Sequence, residues 1–177
     1  MIEETSVPNH HADYPGFSGL AGLVAALSMV VGRDGDARLA VRLSDVGSGD
    51  VVVDIGCGPG VAVRYAARLG AIVTGVDPAP VMLRVARLLT RGSEKVRYVE
   101  GAAEALPVPD DSASAVWSIA TVHHWSDLDA GLREACRVLR SGGRFVALER
   151  RTLPRARGLA SHGWTDAQAN TFANRCS

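Results

Sequence analysis

The stretch Val51-Val52-Val53-Asp54-Ile55-Gly56-Cys57-Gly58-Pro59-Gly60 limits the folds open to this chain more than any other. Its β-branched run reads as a strand buried on both faces. It ends in glycines at alternate positions, which let a backbone turn sharply and leave room for a ligand. A helical pattern follows at once over residues 61–69. Strand, glycine turn and helix form the first half of a nucleotide-binding βαβ unit. The spacing departs from the dinucleotide fingerprint Gly-x-Gly-x-x-Gly/Ala, because Val61 stands three after Gly58 and the third glycine comes one residue early. Asp54, at the end of the strand, would oppose a pyrophosphate. An uncharged or cationic ligand suits the turn better.

The second strand, Ala71-Ile72-Val73-Thr74-Gly75-Val76-Asp77, also ends in an acid. It falls about twenty residues after the glycine turn, where a βαβ site places a carboxylate against ribose hydroxyls. Two neighbouring O–H donors match two acceptor oxygens. The same carboxylate also suits the cap of a helix starting near Ala79. Residues 81–89 read as that helix. Residues 95–99 form a short alternating strand whose charges suit a sheet edge. Residues 114–120 form a fourth strand, feeding Thr121-Val122-His123-His124-Trp125. A helix over residues 128–139 is expected to turn Leu132, Ala135, Cys136 and Leu139 inward. Ser141-Gly142-Gly143 should stop it, and residues 144–149 form a fifth strand. Thr165 caps one more helix. Upstream, residues 18–31 and 36–43 are helical in pattern, behind a polar segment carrying His10, His11, Tyr14 and Phe17.

Alternating strands and helices with this pattern predict an α/β fold, a doubly wound, mostly parallel sheet. The 177 residues suit one core, with residues 1–48 as a helical cap and residues 49–177 as the α/β domain. Apolar content of 47% with zero net charge excludes a disordered chain and gives no overall pull toward nucleic acid or membrane. The apolar run over residues 20–31 is too short to span a bilayer. The three scattered cysteines lack metal or redox spacing, and the N-terminus lacks a secretory pattern, so a cytoplasmic setting is expected. The run Arg150-Arg151-Thr152-Leu153-Pro154-Arg155-Ala156-Arg157 is a basic patch, read as a solvated loop or a weak hint of an anionic partner.

The glycine stretch resembles motif I of the class I S-adenosylmethionine-dependent methyltransferases, whose loop holds the amino acid end of the cofactor. Two further segments match in order: Val76-Asp77-Pro78, and Glu100-Gly101-Ala102-Ala103-Glu104-Ala105-Leu106-Pro107, which is similar to the segment that wraps the adenine. Residues 137–143 resemble another family segment, with Ser141 where proline is usual. The resemblance implies S-adenosylmethionine as cofactor and a Rossmann-like sheet of order 3-2-1-4-5-7-6, here without its last pair. It implies cofactor contacts at Asp54, Gly56, Cys57, Gly58, Gly60, Asp77, Pro78, Ala103, Glu104, Ser118 and Ala120. It also places the N-terminal helices over the cleft, with Tyr14 and Phe17 as lining aromatics. Ala102 departs from the family, which often has an acid there for the adenine amino group. The backbone near Ala103 and Glu104, or the Glu104 side chain, then has to read the base.

In such a sheet, ligands bind beyond the carboxyl ends of the strands where strand order reverses. Asp54, Gly56 and the His123-His124 pair should therefore share one crevice. The cofactor carries the methyl and the protein orients it. Either histidine is a candidate base for an acceptor that must lose a proton. The expected reaction moves a methyl to an oxygen, nitrogen or carbon of a small molecule. The alternative is an inactive cofactor-binding protein or partner subunit. Adjacent histidines point apart and no ligand set completes them, so no metal site is expected. No Asn-Pro-Pro-Tyr element or base-stacking aromatic groove appears, so nucleic acid is not the expected acceptor. A fifth strand left at the sheet edge is expected to pair with a second copy, giving a homodimer.

Overall fold

The computed structural model describes residues 34–153 and 163–176. The expected helix over residues 18–31, with Tyr14, Phe17, His10 and His11, lies outside the described residues, as do residues 154–157 of the basic run. In chain order the elements are α1 (Asp34–Ser44), β1 (Val51–Ile55), α2 (Val61–Arg68), β2 (Ile72–Asp77), α3 (Pro80–Leu89), β3 (Val96–Glu100), β4 (Ala113–Ile119), α4 (Leu128–Val138), β5 (Leu139–Leu148) and α5 (Asp166–Arg175). The sheet is parallel, with order β3-β2-β1-β4-β5. Among the described residues no strand lies beyond β5.

Side-chain alternation along each strand builds two cores. Val52, Val73, Ala115 and Trp117 face α1, α2 and α3, meeting Ala37, Ala40, Val63 and Leu83. Val53, Ile55, Val76 and Val116 face the other way, onto Ala135, Val138 and Phe172 of α4 and α5. Strands covered on both faces explain why β1 reads as a continuous apolar run. Trp117, fully buried, donates from its indole Nε1–H to Ser44 Oγ at 2.9 Å. That bond satisfies the ring's one polar group and fixes α1 to the sheet.

Two expectations need correction. Cys136 is exposed. The buried stripe of α4 runs through Gly131, Ala135 and Val138, and Cys136 falls one residue off it. Ser141-Gly142-Gly143 does not stop α4, which ends at Val138 because Leu139 is already extended at φ −74°, ψ 128°. The glycines serve β5 instead. Ala113 pairs with Leu139 and Ala115 with Arg144, so residues 140–143 form an irregularity, with Gly142 at φ 76°. β3 lies at the sheet edge as expected, one residue later than its charge pattern placed it. α5 carries the full capping box expected of Thr165, with Gln168 as the reciprocal partner.

Candidate active site

Three loops meet at the carboxyl ends of β1, β2 and β4. The first is the glycine turn. The Gly56 and Cys57 N–H groups both donate to Val76 O, at 2.8 and 3.0 Å, which fastens the turn to β2. Gly56 has φ 71°, and a Cβ there would sit 2.6 Å from the Thr121 side chain. Gly60 has φ 75°, and a Cβ there would run into the Tyr98 hydroxyl. Left-handed backbone and close neighbours together admit only glycine at these positions. Space opens instead at Gly58, where a Cβ would meet nothing within 4 Å.

Two carboxylates stand under this turn. Asp77 Oδ2 accepts the Gly58 N–H at 2.8 Å, and its Oδ1 accepts the Ala79 N–H at 2.8 Å. Asp77 therefore closes the turn leading into α3 and also holds the glycine loop. Each oxygen retains a second lone pair for a hydroxyl donor. Asp54 is buried, and burial, with the Asp77 charge second, pushes its carboxyl up to about 8. Burial also raises Asp77, opposed by its bonds from Ala79 and Gly58. Cys57 packs against Gly75, and burial followed by the two acids pushes its thiol up, so it is no nucleophile.

Asp54 carries a stability consequence. A carboxyl raised from about 3.9 in the unfolded chain binds an extra proton when folded between that pH and about 8. Folding stability contributed at Asp54 is thus lost as pH rises through this window. Asp54→Asn is expected to raise the melting temperature at pH 8 and leave it little changed at pH 4, at roughly 2–4 °C per kcal/mol. Equal melting shifts at both pH values would refute the assignment.

The third loop follows β4. Thr121 Oγ1–H donates to Ile55 O at 2.9 Å, and Ser118 Oγ lies 2.7 Å from Thr121 Oγ1. Ser118 is fully buried. Ala120 takes a left-handed φ of 56°, unusual outside glycine, with its N–H bonded to Leu148 O at 2.6 Å. A single 3-10 turn, Val122–His124, then places His123 against Glu149. The ring Nδ1 lies 2.9 Å from Glu149 Oε2, and the His123 N–H donates to Oε1 at 3.4 Å. Both side chains are less than a tenth exposed. His124 stacks on His123 with ring centroids 4.0 Å apart.

The predicted residues Asp54, Gly56, Cys57, Gly58, Gly60 and Asp77 come together, with Pro78 next in chain, and Ser118, Ala120, His123 and His124 border them through β4. Ala103 is buried beside Val76 in the second core. Glu104 Oε1 accepts from the Ser126 N–H and Oγ–H and from the Asp127 N–H. Sequence reasoning missed Glu149, Thr121 and Tyr98. Glu149 had a signal, since it is an acid closing an apolar strand, as Asp77 is. Among the described residues, no group of three or more His, Cys, Asp or Glu is placed to hold a metal ion, and no helix is long and apolar enough to cross a membrane.

A doubly wound parallel sheet with a glycine turn over two strand-end carboxylates defines a cofactor-binding domain of the Rossmann-like class. Open space at Gly58 and the lone pairs of Asp77 fit a nucleoside-bearing cofactor. Residues 53–147, more than half of the chain, match the model of the methyltransferase domain family Methyltransf_11, and the chain belongs to that family. It is 37% identical over 114 residues to the demethylmenaquinone methyltransferase of Tropheryma whipplei, covering 63% of this chain and 46% of that protein. It is 33% identical over 136 residues to the 27-O-demethylrifamycin SV methyltransferase of Amycolatopsis mediterranei, covering 72% and 49%. The crystal structure of YcgJ from Bacillus subtilis superposes with a TM-score of 0.63 at 31% identity, over 67% of this chain and 52% of that one. The chain thus spans about half the length of the curated relatives it matches.

Proposed function

We propose that this domain binds S-adenosylmethionine along the Gly56–Gly60 turn and transfers its methyl group to a small-molecule acceptor, at oxygen, nitrogen or carbon. The observation that carries the reading is the bond from Gly58 N–H to Asp77 Oδ2. It joins the loop for the cofactor's amino acid end to the carboxylate for its ribose, so both halves of one ligand meet one preformed surface. Asp54, uncharged near neutrality, faces the cationic part of that ligand. The relatives are named as methyltransferases, which disfavours an inactive binding protein.

When bound, the cofactor supplies a methyl on a sulfonium, whose bonding pair leaves with the sulfur. The protein's part is alignment and proton removal. Glu149 accepts from Nδ1–H of His123 and so fixes the tautomer with the lone pair on Nε2. With the cofactor bound, His123 would be the candidate residue to take the proton of an acceptor hydroxyl. Calorimetric titration of the 177-residue protein with S-adenosylmethionine and S-adenosylhomocysteine tests the cofactor assignment. Saturable binding at one site per chain is expected, and no binding by folded protein would overturn it.

The acceptor is a small molecule and not nucleic acid, a reading supported by the relatives' names. The three cysteines are free thiols, which supports a cytoplasmic setting. β5 is the outermost strand among the described residues, which supports association of two copies. Light scattering across roughly 1–100 μM is expected to show a mass rising toward twice 18.6 kDa. A constant monomer mass would remove the homodimer.

A further inference from the structure

The segment 102–110 runs from the carboxyl end of β3 back toward the amino end of β4 with almost no regular structure of its own. Ala102 and Ala105 form one isolated bridge, and Val108 N–H bonds Leu106 O at 2.8 Å. Ala103, Leu106 and Val108 pack in the second core, and the segment's polar groups are bonded to α4 and the turn before it, at two places. Near the start of α4, Glu104 Oε1 accepts from Ser126 N–H at 2.6 Å, Ser126 Oγ–H at 2.8 Å and Asp127 N–H at 3.2 Å. Asp127 is itself the cap of α4, accepting from Ala130 N–H at 2.9 Å. Near the end of α4, Glu134 Oε2 accepts the Leu106 N–H at 2.7 Å. Arg137 donates to Leu106 O and Val108 O, both at 2.9 Å, and to Asp110 Oδ1 at 2.5 Å. It also forks onto both oxygens of Glu134 at 2.7 Å. One arginine thus satisfies two loop carbonyls and braces the carboxylate that holds the N–H between them.

We propose that Glu104 and Arg137 are positioning residues of the cofactor site, splinting segment 102–110 to α4 so that its backbone at Ala103 reads the adenine ring. This rests on the S-adenosylmethionine reading above. Ala102 offers no side-chain acceptor, so base recognition falls to main-chain groups. Main-chain groups of an irregular segment recognise a base only as well as the segment is anchored. A segment ordered beforehand also spares the ligand the entropy of ordering it. The guanidinium is needed for its planar fork, which an ammonium cannot reproduce.

The test measures S-adenosylhomocysteine and S-inosylhomocysteine affinities by calorimetry for the 177-residue protein, Arg137→Lys and Glu104→Gln, with melting temperatures for each. Hypoxanthine carries N1–H where adenine carries an acceptor, so a backbone N–H at Ala103 distinguishes them. The unaltered protein is expected to prefer the adenine ligand by about ten-fold or more. Arg137→Lys is expected to weaken the adenine ligand about five- to twenty-fold, with the preference falling toward one. Glu104→Gln is expected to shift both in the same direction. Unchanged affinity and preference in folded variants overturn the inference and leave the cofactor reading standing. An equal loss for both ligands, with the preference intact, also overturns it, since that is what general loosening does. No binding of either ligand by the unaltered protein overturns the cofactor reading and the splint with it. Should Arg137→Lys not fold, Glu104→Gln decides.

Discussion

Asp77→Ala is expected to weaken S-adenosylmethionine binding at least about 100-fold in calorimetry, and to do so by two routes. The first is direct, since the carboxylate is the only group at the end of β2 that offers paired acceptors to ribose hydroxyls. Two charge-assisted bonds lost from a desolvated site account for about 3 kcal/mol. The second is through the protein. Gly58 N–H and Ala79 N–H each donate to this carboxylate at 2.8 Å, and alanine leaves both without it. The glycine loop then loses its tie to the start of α3. Asp77→Asn separates the routes. Its amide oxygen can serve one N–H but not both, so stability recovers in part while ribose binding stays weak. Full affinity in folded Asp77→Ala protein would show that the ribose does not sit there.

His123→Ala is expected to lower turnover by roughly 100- to 10,000-fold on an acceptor bearing a hydroxyl, with cofactor affinity little changed. The measurement is release of S-adenosylhomocysteine across a panel of hydroxylated small molecules. Glu149→Gln is expected to give a smaller loss. A glutamine keeps the size and one acceptor oxygen for Nδ1–H but no longer stabilises an imidazolium after proton transfer. Its effect on stability is also modest, because the His123 main-chain contact to Oε1 is already long at 3.4 Å. Turnover unchanged in His123→Ala would remove the base assignment and point to an acceptor that needs no deprotonation. A collapse in cofactor affinity instead of turnover would mean that the histidine lines the cofactor's side of the crevice.

Sequence alone was enough for much of this. The β1 run, the alternate glycines and Asp77 gave the βαβ unit, because period, glycine spacing and a strand-end acid are local properties of the chain. The order of strands was what the family resemblance implied, since alternation by itself leaves several parallel topologies open. Residues 53–77 were therefore legible almost in full. What the sequence could not show were pairings between residues distant along the chain. Glu149 reaches His123 across 26 positions, and only the pairing of β4 with β5, Ile119 beside Leu148, brings them together. Thr121 reaches Ile55 across 66 positions because β4 also pairs with β1, Ser118 beside Ile55. Glu104 likewise reaches Ser126 and Asp127, more than twenty positions on, which no local pattern shows. Local patterns determine which elements form and which residues end them. Side-chain partners are decided by which ends the sheet brings together, and that is fixed only when the tertiary structure closes.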